Sequence, residues 1–157
     1  MKSMVLMLLA MVVLTGCAGV QTVNTEDMQM QRIIDVPNTS KSILYDRSRM
    51  WYAAAFNSAK SVIEYEDKNN GTIMGNGYVS IIADLVAERQ LAISISTELK
   101  DNKARITLQG KHLYNPQWGN LGVQQRYWES FKLKLDALMS DYTNYISVTK
   151  QVKSDNW

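Results

Sequence analysis

Polar and apolar residues alternate through the middle of this chain with few interruptions. From Arg89 to Lys100, Leu91, Ile93, Ile95, Thr97 and Leu99 alternate with Gln90, Ala92, Ser94, Ser96, Glu98 and Lys100. That is the two-residue period of a strand with one buried and one wet face. Asp101-Asn102 turns the chain, after which Ala104, Ile106, Leu108 and Gly110 alternate with Arg105, Thr107, Gln109 and Lys111. The two runs predict a hairpin with its apolar side inward. A first strand is expected where Met28, Met30, Arg32, Ile34 and Val36 alternate, ended by Pro37. Ser61 to Asp67 and Thr72 to Ala83 predict another hairpin, turning at Asn69-Asn70-Gly71. Its first strand has Ile63, Tyr65 and Asp67 on one side and Val62, Glu64 and Glu66 on the other. Gly75 and Gly77 interrupt the second strand and mark a bulge or a close approach of backbone. No helix follows Gly75-Asn76-Gly77, so it is not a phosphate-cradling loop.

Elsewhere the period lengthens to that of a helix. From Ser40 to about Lys60, Leu44, Trp51, Ala55 and Ala59 fall on one stripe with Tyr45, Tyr52 and Phe56 beside it. Asn38, Thr39 and Ser40 offer caps. From Val123 to about Thr149, Trp128, Phe131, Leu135, Leu138, Tyr142 and Ile146 recur at three- and four-residue steps, and Lys132 with Asp136 forms a helix-supporting pair. Tyr114 to Gly122, with Pro116, Trp118 and Gly119, is expected to be a loop. The order β-α-β-β-β-β-α, with one apolar face on each helix, predicts an α+β domain. An antiparallel sheet of about five strands carries both helices on one face and leaves the other to solvent.

The amino terminus is of another kind. Lys2 precedes an unbroken apolar run from Met4 to Leu14, shorter than the roughly 20 residues of a membrane span but suited to a secretory leader. Leu14-Thr15-Gly16-Cys17 then resembles the lipobox of bacterial lipoproteins, which implies lipidation of Cys17 and removal of residues 1–16. Cleavage after Ala18 by an ordinary signal peptidase is the competing reading. Residues 17–27 are expected to be a lipidated Cys and tether, 28–150 a single domain, and 151–157 a polar tail. Loss of Lys2 with the leader lowers the net charge from +2 to +1, too little to imply nucleic acid. Basic residues are scattered singly, so anchoring rests on the acyl chains. Ala18 beside the Cys resembles the signal for the outer membrane in a Gram-negative host.

Ser40-Lys41, Tyr45, Trp51, Phe56, Ala59-Lys60-Ser61-Val62-Ile63, Tyr65, Asp67, Gly71, Ile73, Gly75 and Gly77 together resemble a bacterial domain of unknown function described as having a TBP-like fold. The resemblance is strongest over residues 40–77. It implies a TBP-like fold and an exported or lipid-anchored setting, and carries no activity with it. DNA binding is not implied, because the wet face has no strong excess of positive charge.

Candidate chemistry is sparse. The single His, His112, continues the inward register of Ala104 to Gly110, a strand-end imidazole at the core's edge, with a proton switch as the alternative. Glu64 and Glu66 share a predicted strand face and could do acid–base work; a solvated strand edge explains them as well. Asp67 is expected to organise the turn that follows it. Trp118 in its loop, and the wet-face residues Gln90, Ser94, Ser96, Arg105, Thr107 and Gln109, form the expected partner surface. Glu98 and Lys111 lie on the same face. No cofactor, metal or catalytic residue is expected. The expected function is a non-catalytic binding or scaffolding domain, lipid-anchored in the envelope and meeting an envelope protein. Alternatives are a carrier with an apolar groove between helix and sheet near Gly75 and Gly77, and, third, a hydrolase.

Overall fold

The computed structural model describes residues 21–56, 62–83, 87–115 and 119–148. A 3-10 turn, Thr25–Met28, leads into β1 (Gln29–Asp35), α1 (Lys41–Ala55), β2 (Ile63–Asp67), β3 (Thr72–Ala83), β4 (Ala87–Lys100), β5 (Lys103–Asn115), β6 (Gly119–Leu121) and α2 (Gln125–Ser147). Every strand pair is antiparallel, in the order β1-β5-β4-β3-β2, with β6 added to β5. The sheet therefore has six strands where about five were expected. The expected loop at Tyr114 to Gly122 is partly sheet: Leu113, Tyr114 and Asn115 pair with Leu121, Asn120 and Gly119. A three-residue strand is too short to display an alternation, which is why the pattern alone misses it.

Both helices lie on one face of this sheet. Ser40 caps α1 by accepting a hydrogen bond from the Ile43 amide at 3.4 Å, the usual service of an N-cap serine. Leu44, Tyr45, Ser48, Trp51 and Tyr52 form its buried stripe. Tyr127, Trp128, Phe131, Leu135, Met139, Tyr142 and Ile146 form that of α2. They share one core with Leu91, Ile93, Ile95, Ile106 and Leu108, the inward residues of β4 and β5. The Ser48 and Tyr142 hydroxyls meet at 2.8 Å between the helices, and the Trp51 indole donates to Asp141 at 2.7 Å. Arg32 reaches from β1 to α2, donating to Asp136 at 2.7 Å and Ser140 at 3.1 Å. Asp136 is thus taken by the sheet rather than by Lys132, which pairs with Glu129 at 2.7 Å instead.

Residues 21–27, expected within a tether, are docked on the domain. The Val23 amide donates to the Val123 carbonyl at 2.8 Å and the Gln125 amide to the Gln21 carbonyl at 3.0 Å, and Thr22 bridges Gln124. Met28 then buries itself against Gly110. Residues without hydrophobic periodicity can still be held by backbone hydrogen bonds, which leave no trace in side-chain pattern.

Candidate binding surface

The sheet face away from the helices is a ladder of short polar side chains. Ser94 lies opposite Gln109, Ser96 opposite Thr107 and Glu98 opposite Arg105. Strand alternation places these residues on one face, as expected. Neighbours bond across it: Gln31 donates to Thr107 at 3.2 Å, and Arg105 forms an ion pair with Glu98. Gln109 is partly engaged elsewhere, donating to the Thr25 carbonyl of the 3-10 turn. Gln90 sits farther along β4, opposite Tyr114. The apolar members of this face lie outside the expected partner surface. Met74 and Tyr78 of β3, Ile33 of β1 and Tyr114 of β5 are exposed here, and the rings of Tyr78 and Tyr114 meet edge-on at 5.7 Å between centroids. Counting in twos from Thr72 would have found Met74 and Tyr78.

Two β-bulges alter the expected assignments. In β2, Ile63 opposes Gly75 but Tyr65 opposes Met74, so Glu64 is an extra residue. Alternation fails there. Glu64 turns to the open face and accepts a hydrogen bond from Asn76, whereas Glu66 lies on the helix side, accepting from Arg49 at 3.0 Å and Tyr45 at 3.3 Å. The two carboxylates do not share the face expected of them, and they do not form the pair that acid–base work would need. In β5, Gly110 opposes Ile93 and His112 opposes Ala92, which makes Lys111 the extra residue. His112 is accordingly shifted out of the inward register expected for it and onto the open face, while Leu113 returns to the core.

The bulges meet around one recess of about 740 Å³, lined by Phe56, Val62, Glu64, Tyr78, Lys111 and His112 among others. Lys111 donates to the Asn76 side-chain carbonyl at 2.7 Å, and Asn76 in turn donates to Glu64. The glycines beside the recess serve internal packing. A Cβ at Gly75 would lie 2.5 Å from the Val62 carbonyl oxygen, and one at Gly77 would lie 2.7 Å from the Phe56 ring. Beside Gly75 the Val62 carbonyl and the Tyr52 ring fill the space on the helix side, whereas Gly77 itself lines the recess.

Asp67 organises its turn as expected. It accepts hydrogen bonds from the Asn70 amide at 3.0 Å and side chain at 2.7 Å, and these hold its carboxyl below the usual carboxylate range. Burial pushes the Tyr52 and Tyr142 phenols well above their ordinary value. Burial, then the charge of Glu66, raises Tyr45. Among the described residues no group of three or more His, Cys, Asp or Glu could hold a metal ion, and no helix is long and apolar enough to cross a membrane. Cys17 and Trp118 lie outside the described residues.

Six antiparallel strands with two helices on one side define an α+β domain of the TBP-like class. Residues 31–112 match the family described as a domain of unknown function (DUF4468) with TBP-like fold, and the chain belongs to that family. A TBP-like protein of Parabacteroides distasonis has a similar structure, with a TM-score of 0.61, 12% identity, and coverage of 75% of this chain and 91% of that one. A DUF4468 family protein of Bacteroides ovatus also matches with a TM-score of 0.61 and 12% identity, over 85% of this chain and 94% of that one. At such identity the likeness concerns fold alone. No curated protein matches the chain.

Proposed function

We propose that the protein is a lipid-anchored envelope protein whose domain binds a partner, without catalysis, through the open face of its sheet. The observation that carries the reading is the asymmetry of the sheet. Both helices cover one face, while the other presents Ser94, Ser96, Thr107 and Arg105 beside the exposed rings of Tyr78 and Tyr114. Mixed polar and aromatic surface of this sort suits recognition. The separation of Glu64 from Glu66 removes the one carboxylate pair that favoured hydrolysis. Lipidation of Cys17 rests on the lipobox, with the outer membrane as the destination if the host is Gram-negative.

Cys17→Ser should abolish lipid labelling and leave an uncleaved precursor; normal processing of that variant after Ala18 would refute the anchor. A photoreactive residue at Ser96 in the intact membrane-bound protein should give a discrete adduct that Thr107→Arg suppresses. The same residue at Lys134 on the outer side of α2 should give none. Identical adducts from both positions would reject the open face as the binding surface.

A second reading, carriage of a small ligand, is favoured by the recess that the bulges build. Its lining joins Phe56, Val62 and Tyr78 to Lys111 and His112, the mix of apolar wall and few polar groups found in ligand sites.

A further inference from the structure

The docked amino-terminal segment fixes one end of the domain relative to any anchor on Cys17. Thr22 lines a cleft of about 290 Å³ between the start of α2 and the β5–β6 pair, together with Arg89, Tyr114, Leu121 and Arg126. Thr22 lies only five steps along the chain from Cys17. Fully extended, five steps span at most about 18 Å. The opposite end of the sheet, where β4 reaches Lys100, is about 40 Å farther away, given 14 residues in β4 at roughly 3.3 Å each. A lipid on Cys17 therefore keeps the Arg89–Arg126 end within reach of the bilayer and leaves the tilt of the domain to what that end binds.

The chemistry of that end matches a membrane interface. Arg89 belongs to the helix side of β4, opposite Ile81, and its Nε is buried with no hydrogen-bond partner. A buried donor in that state is a standing cost, relieved by an acceptor. Arg126 is exposed, its guanidinium 4.5 Å over the Tyr127 ring and its Nε bonded to Gln124 at 2.8 Å. Among the described residues neither arginine has a carboxylate partner. Glu88, next to Arg89 in sequence, pairs with Ile82 on the other face, where Ser80 and Gln90 bond it and lower its pKa. Among the described residues no acidic side chain lines the cleft. Exposed Tyr114 and Leu121 stand beside it, apolar and amphipathic groups of the kind that settle at headgroup depth.

We infer that the Arg89–Arg126 cleft binds the phosphate of membrane lipid headgroups, docking the domain on the bilayer by the end nearest Cys17. The inference rests on the lipid-anchor reading and adds a fixed orientation to it. The open sheet face is then held at a set angle to the membrane rather than swinging on a tether.

The test uses the full-length protein, processed in its host and reconstituted into phosphatidylethanolamine–phosphatidylglycerol vesicles. An acylated Cys17 leaves Leu121→Cys as the sole free thiol for a fluorophore, and Lys100→Cys labels the far end. Nitroxide-headgroup lipids should quench the label at 121 at least about threefold more than the label at 100. Arg89→Gln with Arg126→Gln should remove most of that difference, as should vesicles of a phosphate-free galactolipid. If the double variant loses its fold by circular dichroism, the exposed Arg126→Gln alone should still reduce it. Equal quenching at both ends, or quenching at 121 indifferent to lipid phosphate and to both substitutions, overturns the inference. The mass of the same sample reports acylation separately. Acylated protein with equal quenching keeps the anchor and loses the cleft. Unacylated protein that floats with phosphatidylglycerol vesicles, and sinks when both arginines are replaced, keeps the cleft and loses the anchor. Unacylated protein that does not float loses both.

Discussion

The two faces of the sheet are built from the same strands and obey different rules. On the helix side, Leu91, Ile93, Ile106 and Leu108 are fully buried and fix the positions of α1 and α2 by volume. On the open side, Ser94, Ser96, Thr107 and Arg105 are fixed by nothing larger than a cross-strand neighbour. Close-packed residues lose free energy with every methylene removed, because the space left behind refills only in part. A solvated ladder exchanges one hydrogen bond for another to water at little net cost. Stability thus resides on one face and tolerance of change on the other, which is the division a recognition surface needs.

Leu135→Ala should break the covered face most severely. Its side chain is fully buried in α2, so urea denaturation should show a loss of about 2–5 kcal/mol. A loss below about 0.5 kcal/mol would mean that α2 does not pack on the sheet.

Tyr142→Phe should come next, at about 1–3 kcal/mol, because it leaves the buried Ser48 hydroxyl without the partner it meets at 2.8 Å. The same residue gives the covered face an alkaline signature. The Tyr52 and Tyr142 phenols are raised in the folded state, so above a pH of about 10 the unfolded chain gives up protons that the folded one keeps. Stability should hold below that pH and fall above it, and Tyr142→Phe should flatten the fall. A denaturation midpoint indifferent to pH between about 9 and 11 would place these phenols in solvent.

Asp67 sharpens the comparison from the acid side. Its pKa is lowered on folding, so its contribution is present above the ordinary carboxylate pKa and lost as pH falls through the lowered value. Asp67→Asn should weaken the dependence of stability on pH only in that acid range. The smallest effects belong to the open face. Glu98→Gln breaks an ion pair whose side chains are 46% and 41% exposed, and should cost no more than about 1 kcal/mol and less in high salt. Ser96→Ala should fall within about 0.5 kcal/mol. A larger loss in either would show that the open face is covered in solution.

Much of this architecture is legible in the residue order. Alternation from Leu91 to Leu99 and from Ala104 to Leu108 identified the central hairpin, the helical stripes identified Trp51, Phe131 and Leu135, and the turn at Asn70-Gly71 closed where Gly71 adopts a φ of 70°. Candidate site residues on β4 and β5 were assigned to the correct face as far as Gln109. Beyond it the assignment failed at His112, and in β2 it failed at Glu64, each time because one inserted residue reverses the side of all that follow in the strand.

What the amino-acid order determined by itself was local periodicity, since period two and period 3.6 are properties of a strand and a helix taken alone. Where a strand bulges depends on the strand beside it. Whether β6 pairs, and whether the chain before Met28 docks, depends on backbone donors and acceptors brought together from distant positions. Tertiary structure alone decided those three things. They set the contents of the recess, and they set Arg89 and Arg126 beside the chain that leads to Cys17.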